Sequence, residues 1–582
     1  MEIALIGVAA ALCIAGVTAF ASRLGVAAPL LLVVVGVVAS LLPGVPEVDI
    51  DPEWVLIGVL PPLLYSASVS MPAMDFRRDF TTIGSLSVIL VVISAVVVGF
   101  FLAAAVPGIE LRTGIALGAI ISPTDAVATT IVKRLGVSPR VVAVLQGESL
   151  LNDATALVLL RSAVAATAFS VWGVAWDFVL AVVVAVAIGL VVGRLNLVVR
   201  SKVGDTAVNT AISFAVPFVA YLPTEHLGAS GLVAAVTAGL YTGQAAPRYL
   251  GPRHRLSEEQ NWRTIELLLE GGVFLLMGLE LESIVSDVND THGDLWAAVW
   301  IGAAATGLVI VIRALYVVPL MLGLRRRAER GQASREHLTT MQTQLDDGSL
   351  PVRSRPGRQP RNEQEAQRLE EHIVRRTEMM GTRIRRTLAD VDYLAGAPLG
   401  WREGTVLVWA GMRGVVTLAA AQTLEDDTPQ RSLLVLIAFV VAAGSLVVQG
   451  GTLPWLVSRL GLAQDPDPTA NAAERHDLMT EMVVAAQAAL EDPDLRRPDG
   501  TPYDAAVVER TRGAAAMRAD DEEAQEGRVV SQQYRELRLV MIDAMRDSLL
   551  RARSDGTYSS ETLEHALTVL DADQITTELL GR

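Results

Sequence analysis

Long apolar segments, each close to the length that a helix needs to cross a bilayer, follow one another along most of this chain. A membrane-spanning helix requires about 20 mostly apolar residues. By this criterion about thirteen segments qualify, at approximately 3–21, 26–42, 53–70, 81–106, 111–132, 140–168, 172–198, 206–222, 228–243, 262–285, 293–324, 402–424 and 431–460. The pattern predicts an all-α polytopic membrane protein in which the segment at 3–21 is retained as the first span.

Charged residues are concentrated outside these segments. They make up 19% of the 582 residues, against about 25% in a soluble domain, and most of them lie after residue 324. We therefore expect transmembrane spans at 1–324 and 402–461, a cytoplasmic insertion at 325–401 and a cytoplasmic C-terminal helical domain at 462–582.

Both predicted cytoplasmic regions contain segments with helical sequence patterns. The insertion begins with Arg325-Arg326-Arg327, has a loop around Gly348–Pro360 and continues with a polar helical run near 362–392. The tail opens with Asp465-Pro-Asp-Pro468 and then shows apolar residues at helical spacing, including Met479, Met482, Val483, Leu490, Leu537, Val540, Met541 and Met545. A small regulatory helical domain, bound by an unknown regulator, is one interpretation; a partly disordered acidic tail is the alternative.

Loops rich in lysine and arginine alternate along the chain with loops that are poor in them, and this alternation predicts the orientation in the membrane. Cytoplasmic loops of membrane proteins are enriched in these residues. With the N-terminus outside, the short inside loops contain Arg23, Arg77, Arg78, Lys133, Arg134, Arg140, Arg194, Arg200, Lys202, Arg248, Arg253, Arg255 and Arg263. The short outside loops have only Arg112 and Arg431, and carry Glu47, Asp49, Asp51, Glu53, Asp287, Asp290, Asp294, Glu425, Asp426 and Asp427. The pattern predicts a plasma (inner) membrane protein with its C-terminus in the cytoplasm.

The fifth segment carries a proline and a carboxylate near mid-membrane. Pro123 removes a backbone donor and interrupts the helix, and Asp125 follows two residues later. Carboxylates at lipid depth are costly and mark functional sites by default. The combination predicts an ion site on a discontinuous helix; a kinked helix with a protonated Asp125 is the alternative.

The sixth segment carries a second acidic cluster at comparable depth. Ser149 and Asp153 are four residues apart and share a helix face, as do Glu148 and Asn152 on the neighbouring face. With Thr124 from the fifth segment, these side chains form an all-oxygen environment suited to a hard cation such as Na⁺, at Asp125, Asp153, Ser149 and Thr124. The same carboxylates can carry protons, so one site would hold either a cation or a proton.

Two arginines lie inside later segments, where each needs a partner or an explanation. Arg313, in the eleventh segment, is predicted to pair with Glu148; snorkelling toward the membrane surface is the alternative. Arg413 stands between Gly411 and Gly414, which predicts a second broken helix whose C-terminal half-helix end the arginine neutralises. A glycine-rich packing face is the other interpretation of that segment.

Glu270, in the tenth segment, lies nearer the cytoplasmic end. It is a weak candidate for drawing cations into a funnel, and plain placement at the interface is almost as well supported. Nucleotide-binding loops, zinc spacing and nucleophile elbows are absent from the sequence. We therefore expect no enzyme activity, no cofactor and no nucleic-acid partner.

At this point the sequence resembles the monovalent cation/proton antiporters of the sodium/proton exchanger type, across roughly residues 1–460. The matching stretches are Leu60–Tyr65 (LPPLLY), Ser122–Val127 (SPTDAV), Gly147–Ala154 (GESLLNDA), Glu270–Gly278, Arg313 and Gly411–Val415 (GMRGV). Some members of the family carry a glutamate directly after the Leu60–Tyr65 stretch, where this chain has Ser66, so the identity of the cation stays open.

The resemblance implies more than the residues alone do. It implies that Asp125 and Asp153 carry the ion, that Thr124 and Ser149 are auxiliary oxygens, and that Glu148 and Arg313 form a core ion pair. It also implies inverted repeats, two crossing discontinuous helices and a homodimer with elevator-like motion. Asn152 before Asp153 resembles the electroneutral branch of the family.

From these observations we predict exchange of sodium or lithium for protons, serving pH and sodium homeostasis. Potassium/proton antiport is the principal alternative, because sodium and potassium sites use the same ligand types. A gated cation channel and a non-transporting membrane sensor are the alternatives from other functional classes.

Overall fold

The chain folds into helices throughout its described length. In the computed structural model the described residues are 2–24, 26–42, 52–165, 171–291, 294–347, 363–396, 398–425, 427–463, 472–514 and 528–579, and these contain no strand. The loop residues Glu47, Asp49, Asp51 and Asp426, the loop 348–360 and the stretch 465–468 lie outside the described residues.

The described residues form twenty-four α-helices. They are α1 (Glu2–Leu24), α2 (Ala28–Ser40), α3 (Leu60–Val69), α4 (Ala73–Arg78), α5 (Phe80–Gly84), α6 (Val91–Ala105), α7 (Leu111–Ile121), α8 (Val127–Arg134), α9 (Pro139–Ala165), α10 (Val171–Arg200), α11 (Thr206–His226), α12 (Gly231–Tyr249), α13 (Pro252–Leu279), α14 (Leu281–Thr291), α15 (Leu295–Asp346), α16 (Glu363–Gly396), α17 (Trp401–Trp409), α18 (Val415–Gln422), α19 (Arg431–Ser445), α20 (Gly451–Arg459), α21 (Ala472–Leu490), α22 (Ala505–Ala514), α23 (Arg528–Asp555) and α24 (Ser560–Leu579). Wide π-helical turns occupy Trp54–Val59, Ser85–Leu90 and Leu446–Gly450.

Two compact units are present. The first comprises Met1–Gly323 and Leu399–Asp465, and the second comprises Leu324–Pro398 and Pro466–Arg582. Among the described residues, five helical stretches are long and apolar enough to cross a membrane by length and composition: Phe80–Ala105, Phe178–Arg200, Thr206–His226, Leu295–Ala333 and Arg431–Arg459. The count of thirteen spans stays a prediction, because helix breaks and buried charges shorten the apolar run of the other segments.

Two spans of the first unit are broken in the middle. Helix α7 ends at Ile121 and α8 starts at Val127, and Pro123 in the gap has no backbone N–H to continue the ladder. Helix α17 ends at Trp409 and α18 starts at Val415, with Gly411 and Gly414 in that gap. The backbone N–H of Asp125 donates to the carbonyl of Met412 at 2.8 Å, so the two gaps contact each other.

Helix α15 is longer than the sequence pattern predicted. The eleventh span was expected to end at residue 324, but the helix, which has 52 residues in all, runs from Leu295 to Asp346. The residues after 324 are rich in Arg, Ala, Glu and Gln, which are good helix formers, and they contain no proline before the helix ends. A change from apolar to charged side chains ends a membrane span without ending the helix.

The second unit builds a small helical core from the tail. Leu490 of α21, Val507 of α22 and Met541 of α23 are buried against one another, with Ala486 and Leu537. Met482 is fully buried, whereas Met479 is exposed. Burial of these apolar side chains is what holds the short helices in place, since isolated helices of this length are marginal in water.

A salt bridge fastens the turn between α21 and α22 to α23. The guanidinium of Arg497 lies 3.0 Å from the carboxylate of Glu536. The hydrogen bond from Arg497 holds the pKa of Glu536 below its usual range. The folded-state pKa is depressed, so the stabilisation is present above the ordinary glutamate pKa and is lost as the pH falls through the depressed value.

Candidate functional site

A cavity of about 350 Å³ lies beside the two helix gaps, with Pro123, Asp125 and Gly414 in its wall. Its wall is formed by the gaps that follow α7 and precede α18, together with faces of α3, α9 and α13. The polar side chains that line it include Thr124, Asp125, Lys133, Ser149, Asp153, Glu266 and Glu270. The structure therefore brings both predicted ion-carrying aspartates and both predicted auxiliary hydroxyls to one cavity.

Asp125 sits at the start of the second half-helix. Its carboxylate accepts a hydrogen bond from the backbone N–H of Val127 at 2.9 Å, which satisfies one of the free N–H groups at the N-terminus of α8. The positive end of the half-helix dipole thus faces the carboxylate. One carboxylate oxygen is engaged by the backbone, and the side chain remains half-exposed to the cavity.

Asp153 faces the same cavity from α9. No hydrogen bond or ion pair to its carboxylate is present within the described residues, and Asp125 lines the same cavity. Ser149, one helical turn earlier, donates its hydroxyl proton to the carbonyl of Leu145 at 2.9 Å. The Ser149 oxygen keeps its lone pairs for another partner.

Asn152 and Thr124 lie behind this wall. The Asn152 amide donates to the Thr124 carbonyl at 3.1 Å and to the Thr124 hydroxyl at 2.7 Å, and the Thr124 hydroxyl in turn donates to Glu148 at 3.2 Å. Asn152 does not line the cavity. Its amide donates to a backbone carbonyl that the helix break leaves without an intrahelical partner, so Asn152 stabilises the interrupted backbone at Thr124.

The buried charges Glu148 and Arg313 meet directly. The guanidinium nitrogens of Arg313 lie 2.5 and 2.7 Å from the two carboxylate oxygens of Glu148, and both side chains are 2% exposed. The Nε–H of Arg313 donates to the carbonyl of Leu407 in α17 at 2.8 Å. The pair therefore ties α9 and α15 to the second broken helix, next to the cavity.

Arg413 serves the ends of both broken helices. Its guanidinium donates to the carbonyl of Ile121 at 2.9 Å and to that of Ser122 at 3.2 Å, at the C-terminus of α7, and also to the Gly411 carbonyl beyond the end of α17. These carbonyls have no intrahelical partners. A cation at this point offsets the negative ends of both half-helix dipoles.

The glycines of the second gap are required by close approach. A Cβ built on Gly414 would overlap the carboxylate of Asp125, and one built on Gly411 would lie 2.7 Å from the side chain of Arg313. Glycine is the one residue that lets the backbone pass this near to both side chains. A substitution at Gly414 would displace Asp125 from the cavity.

Sequence reasoning placed Glu270 near a funnel and missed its neighbour Glu266. Both carboxylates line the cavity from α13, and they are four residues apart on one helix face. The only signal in the sequence was the four-residue spacing, which did not distinguish Glu266 from other charged residues near that end of the span.

Two buried ion pairs were also missed, since their arginines were assigned to loops. Arg140 pairs with Asp79 at 2.9 Å. Arg200 pairs with Glu258 at 2.6 Å and thereby links α10 to α13. Arg161 makes a separate contact, with Glu225 at 2.6 Å.

The polar network around Glu258 continues toward the cavity. Ser213 donates to Glu258 at 2.5 Å and accepts from the indole of Trp262 at 3.0 Å. Trp262 packs on Tyr65 with the ring centroids 5.5 Å apart. These contacts fix the face of α13 that carries Glu266 and Glu270, and they hold it against α3.

The donor set of the cavity is made of oxygen. Carboxylates and hydroxyls are the ligands that hard cations prefer. Within the described ranges no group of three or more His, Cys, Asp or Glu side chains is arranged as a metal centre. The arrangement suits a cation that binds weakly enough to leave again, as a transported substrate must.

A sequence profile described as "Sodium/hydrogen exchanger, transmembrane" matches residues 7–351 and 382–459, more than half of the chain. An uncharacterized Na(+)/H(+) exchanger of Mycobacterium tuberculosis is 27% identical over 579 residues, covering 96% of this chain and 93% of that protein. A sodium, potassium, lithium and rubidium/H(+) antiporter of Bacillus subtilis is 28% identical over 303 residues, covering 50% and 45%.

A solved structure shares the fold. The sodium proton antiporter MjNhaP1 of Methanocaldococcus jannaschii, determined at pH 8, aligns with a TM-score of 0.54 and 15% sequence identity. The alignment covers 80% of this chain and the whole of that one. The all-helical architecture is therefore that of a known membrane transporter fold.

Proposed function

Because the chain belongs to the sodium/hydrogen exchanger family, whose members are integral membrane transporters, we propose that it exchanges sodium or lithium for protons across the plasma membrane, one for one, in pH and sodium homeostasis. The observation that carries the proposal is the cavity beside the two helix gaps, which Asp125 and Asp153 both line. In this proposal the driving force comes from the ion gradients.

The proposed cycle uses one site for two substrates. With both aspartates ionised, a cation is held by Asp125, Asp153 and the Ser149 hydroxyl, with the Thr124 oxygens in support. When the cation leaves, Asp153 takes a proton and carries it back. Asp153 suits this role because no described protein group competes for its carboxylate. Cation and proton therefore exclude each other, which couples the two fluxes.

The proposal includes a homodimer with elevator-like motion, its N-terminus outside and its C-terminus in the cytoplasm. The loop charges support this orientation. The second unit would receive a regulator. Potassium is the second candidate substrate: the named substrates of the Bacillus subtilis relative include potassium beside sodium, and an oxygen donor set accepts either ion.

Everted membrane vesicles test the proposed function directly. After a proton gradient is established, addition of Na⁺ or Li⁺ is expected to restore the fluorescence of a quenched pH dye, because the cation enters in exchange for protons. Parallel additions of K⁺ and of choline, at several pH values, identify the substrate and serve as controls. Dequenching by none of the alkali cations would overturn the proposal, whereas dequenching by K⁺ alone would select the potassium alternative.

The hydrogen bonds from Asn152 to Thr124 lead to a separate prediction about the number of charges moved in each exchange cycle. The parent protein is expected to exchange at the same rate with and without an imposed membrane potential. Asn152→Asp removes both donors to Thr124 and leaves a buried carbonyl unpaired, which costs about 1–3 kcal/mol. We therefore expect a lower unfolding temperature and roughly tenfold slower exchange, still insensitive to potential.

The matched control is Asn261→Asp, at an exposed position of α13. It is expected to leave rate and stability unchanged. Both variants are assayed in proteoliposomes with a potassium diffusion potential. If Asn152→Asp exchanged at the parent rate and became sensitive to potential, the role of Asn152 would lie in its lack of charge and not in its hydrogen bonds to Thr124.

A further inference from the structure

The cavity lies between two groups of helices, each of which is joined by its own buried contacts. The carrier group comprises α7–α9, α15, α17 and α18, and it is joined by the contacts of Asn152, Glu148, Arg313 and Arg413. The scaffold group comprises α3 and α10–α13, and its contacts join Arg200 and Ser213 to Glu258, Asn196 to Thr242, and Tyr65 to Trp262. Both groups line the cavity, so the proposed ion site is where they meet.

The cavity opens toward the end of α8 and is closed in the opposite direction. Three lining residues at helical spacing, Ala126, Thr130 and Lys133, are exposed and lead to the C-terminus of α8. The loop charges predict that this end faces the cytoplasm. In the opposite direction α18 is buried from Leu418 to Ala421. The structure therefore shows the cavity accessible from the predicted cytoplasmic side.

Two contacts between described side chains join the groups on the closed side. The guanidinium of Arg161, near the C-terminus of α9, lies 2.6 Å from the carboxylate of Glu225, near the C-terminus of α11. The side-chain amide of Gln422, the last residue of α18, donates at 3.0 Å to Glu280, which directly follows α13. All four residues lie at helix ends that the loop charges assign to the outside. These contacts therefore hold the outer ends of the two groups together.

The contacts between the groups are open to water, whereas the ion pair beside the cavity is not. Glu148 and Arg313, within the carrier group, are 2% exposed, but Arg161 and Glu225 are 55% and 21% exposed. A further contact between the groups, from the amide of Gln146 to a carbonyl of α3 at 3.2 Å, lies in the cavity wall and is half-buried. Separating a buried pair is costly, whereas an exposed pair exchanges its partner for water at little cost. The contacts between the groups can therefore break and re-form while each group stays intact.

We infer that Arg161–Glu225 and Gln422–Glu280 form an outer latch, which holds the outer side shut while the cavity faces the cytoplasm and opens before the cavity faces outward. The inference rests on the proposed function, whose cycle requires the site to be accessible from each side in turn. It assigns no ion binding to these four residues. Because the latch stabilises one of two states, weakening it shifts the population toward the outward-facing state.

Accessibility of the cavity from each face tests the latch. Cys13, the one cysteine of the chain, is replaced by serine, and Val416→Cys places a thiol in the cavity wall. A maleimide that cannot cross the membrane is then added to right-side-out or to everted vesicles. With Arg161→Gln the rate of labelling from the outer face is expected to rise about threefold, because an exposed ion pair shifts an equilibrium by a factor of that order. Labelling from the cytoplasmic face should not rise.

Glu225→Gln tests the same ion pair from its other partner. Glu225 also accepts the backbone N–H of Gly231 at 2.9 Å, and the amide oxygen of glutamine can keep that hydrogen bond. The same rise of about threefold is expected. Arg161→Gln combined with Glu225→Gln should give no further rise, because the pair is already broken. Gln422→Leu removes the second contact, so its factor of about threefold should multiply that of Arg161→Gln.

Arg325→Gln is the matched control, because it breaks an exposed pair, with Glu329, that lies within one helix. Parent labelling rates are expected at both faces. The latch is wrong if Arg161→Gln is labelled from the outside at the parent rate, or if labelling rises equally at both faces, as a loosened fold would give. Alkali-cation exchange by the parent is measured in the same vesicles. Its absence would overturn the proposed function, whereas the labelling rates alone decide the latch.

Discussion

Replacing Asp153 by asparagine is expected to abolish cation/proton exchange and to leave the folded protein intact. The proposed carrier must release a proton to bind a cation and accept one to let it go. An amide has nearly the same shape as a carboxyl group and does neither. We expect at least a roughly hundredfold loss of exchange rate, the scale seen when an interaction essential to the reaction is removed.

The expectation of an intact fold follows from the surroundings of Asp153. Within the described residues its carboxylate receives no hydrogen bond and no ion pair, so an amide breaks no contact. The substitution also removes a charge that lies near Asp125 in a poorly solvated cavity. Like charges in such surroundings repel, and the unfolding temperature in detergent should therefore not fall.

Dye dequenching in everted vesicles measures the loss, and thermal unfolding of the purified protein measures the stability. Asp494→Asn, at an exposed position of the tail, is the matched control and should behave like the parent in both assays. Parent-like exchange by Asp153→Asn would show that Asp153 is not the carrier. Loss of exchange together with loss of folded protein would show that the carboxylate has a structural role that the contacts do not reveal.

The helix break and the buried charges could be predicted because each follows from a local rule. Pro123 lacks the N–H that a continuous helix needs. Arg313, far from either end of an apolar segment, requires a counter-charge, and Glu148 was the candidate at similar depth. These arguments need only the residue type and its depth in the membrane, and both can be read from the chain.

Other features depend on which helices pack against one another, and helix packing between distant segments cannot be read from the sequence. Arg200 and Glu258 are 58 residues apart, and Arg200 was assigned to a loop because it stands at the end of a span. Glu266 lines the cavity because α13 packs against α3, and the sequence does not indicate that packing. The amide of Asn152 was expected at the ion, but its donors turn to the carbonyl that the break at Pro123 leaves free.

Glu148→Gln is expected to destabilise the whole membrane unit, since it leaves the guanidinium of Arg313 buried without its counter-charge. Removing one partner of a buried ion pair costs about 3–5 kcal/mol. The amide can still accept one hydrogen bond from Arg313, but it cannot neutralise the charge. Arg313 also binds the carbonyl of Leu407, so the damage should reach the second broken helix.

An exposed ion pair on α15 is expected to behave differently. Arg325 and Glu329 lie 3.1 Å apart on α15, with side chains 75% and 61% exposed. Glu329→Gln should change the free energy of unfolding by less than about 0.5 kcal/mol, because water and salt screen such a pair. The same chemical substitution is therefore expected to cost several kcal/mol at the buried pair and almost nothing at the exposed one.

Thermal unfolding and the yield of folded protein in detergent measure both variants. Replacing both partners, as Glu148→Leu with Arg313→Met, should recover part of the loss, because no unpaired charge remains. Recovery should be incomplete, since Thr124 and the carbonyl of Leu407 lose their partners. If Glu148→Gln unfolded like the parent, Arg313 would have to reach another carboxylate, and the pair could no longer explain how the helix bundle tolerates a buried arginine.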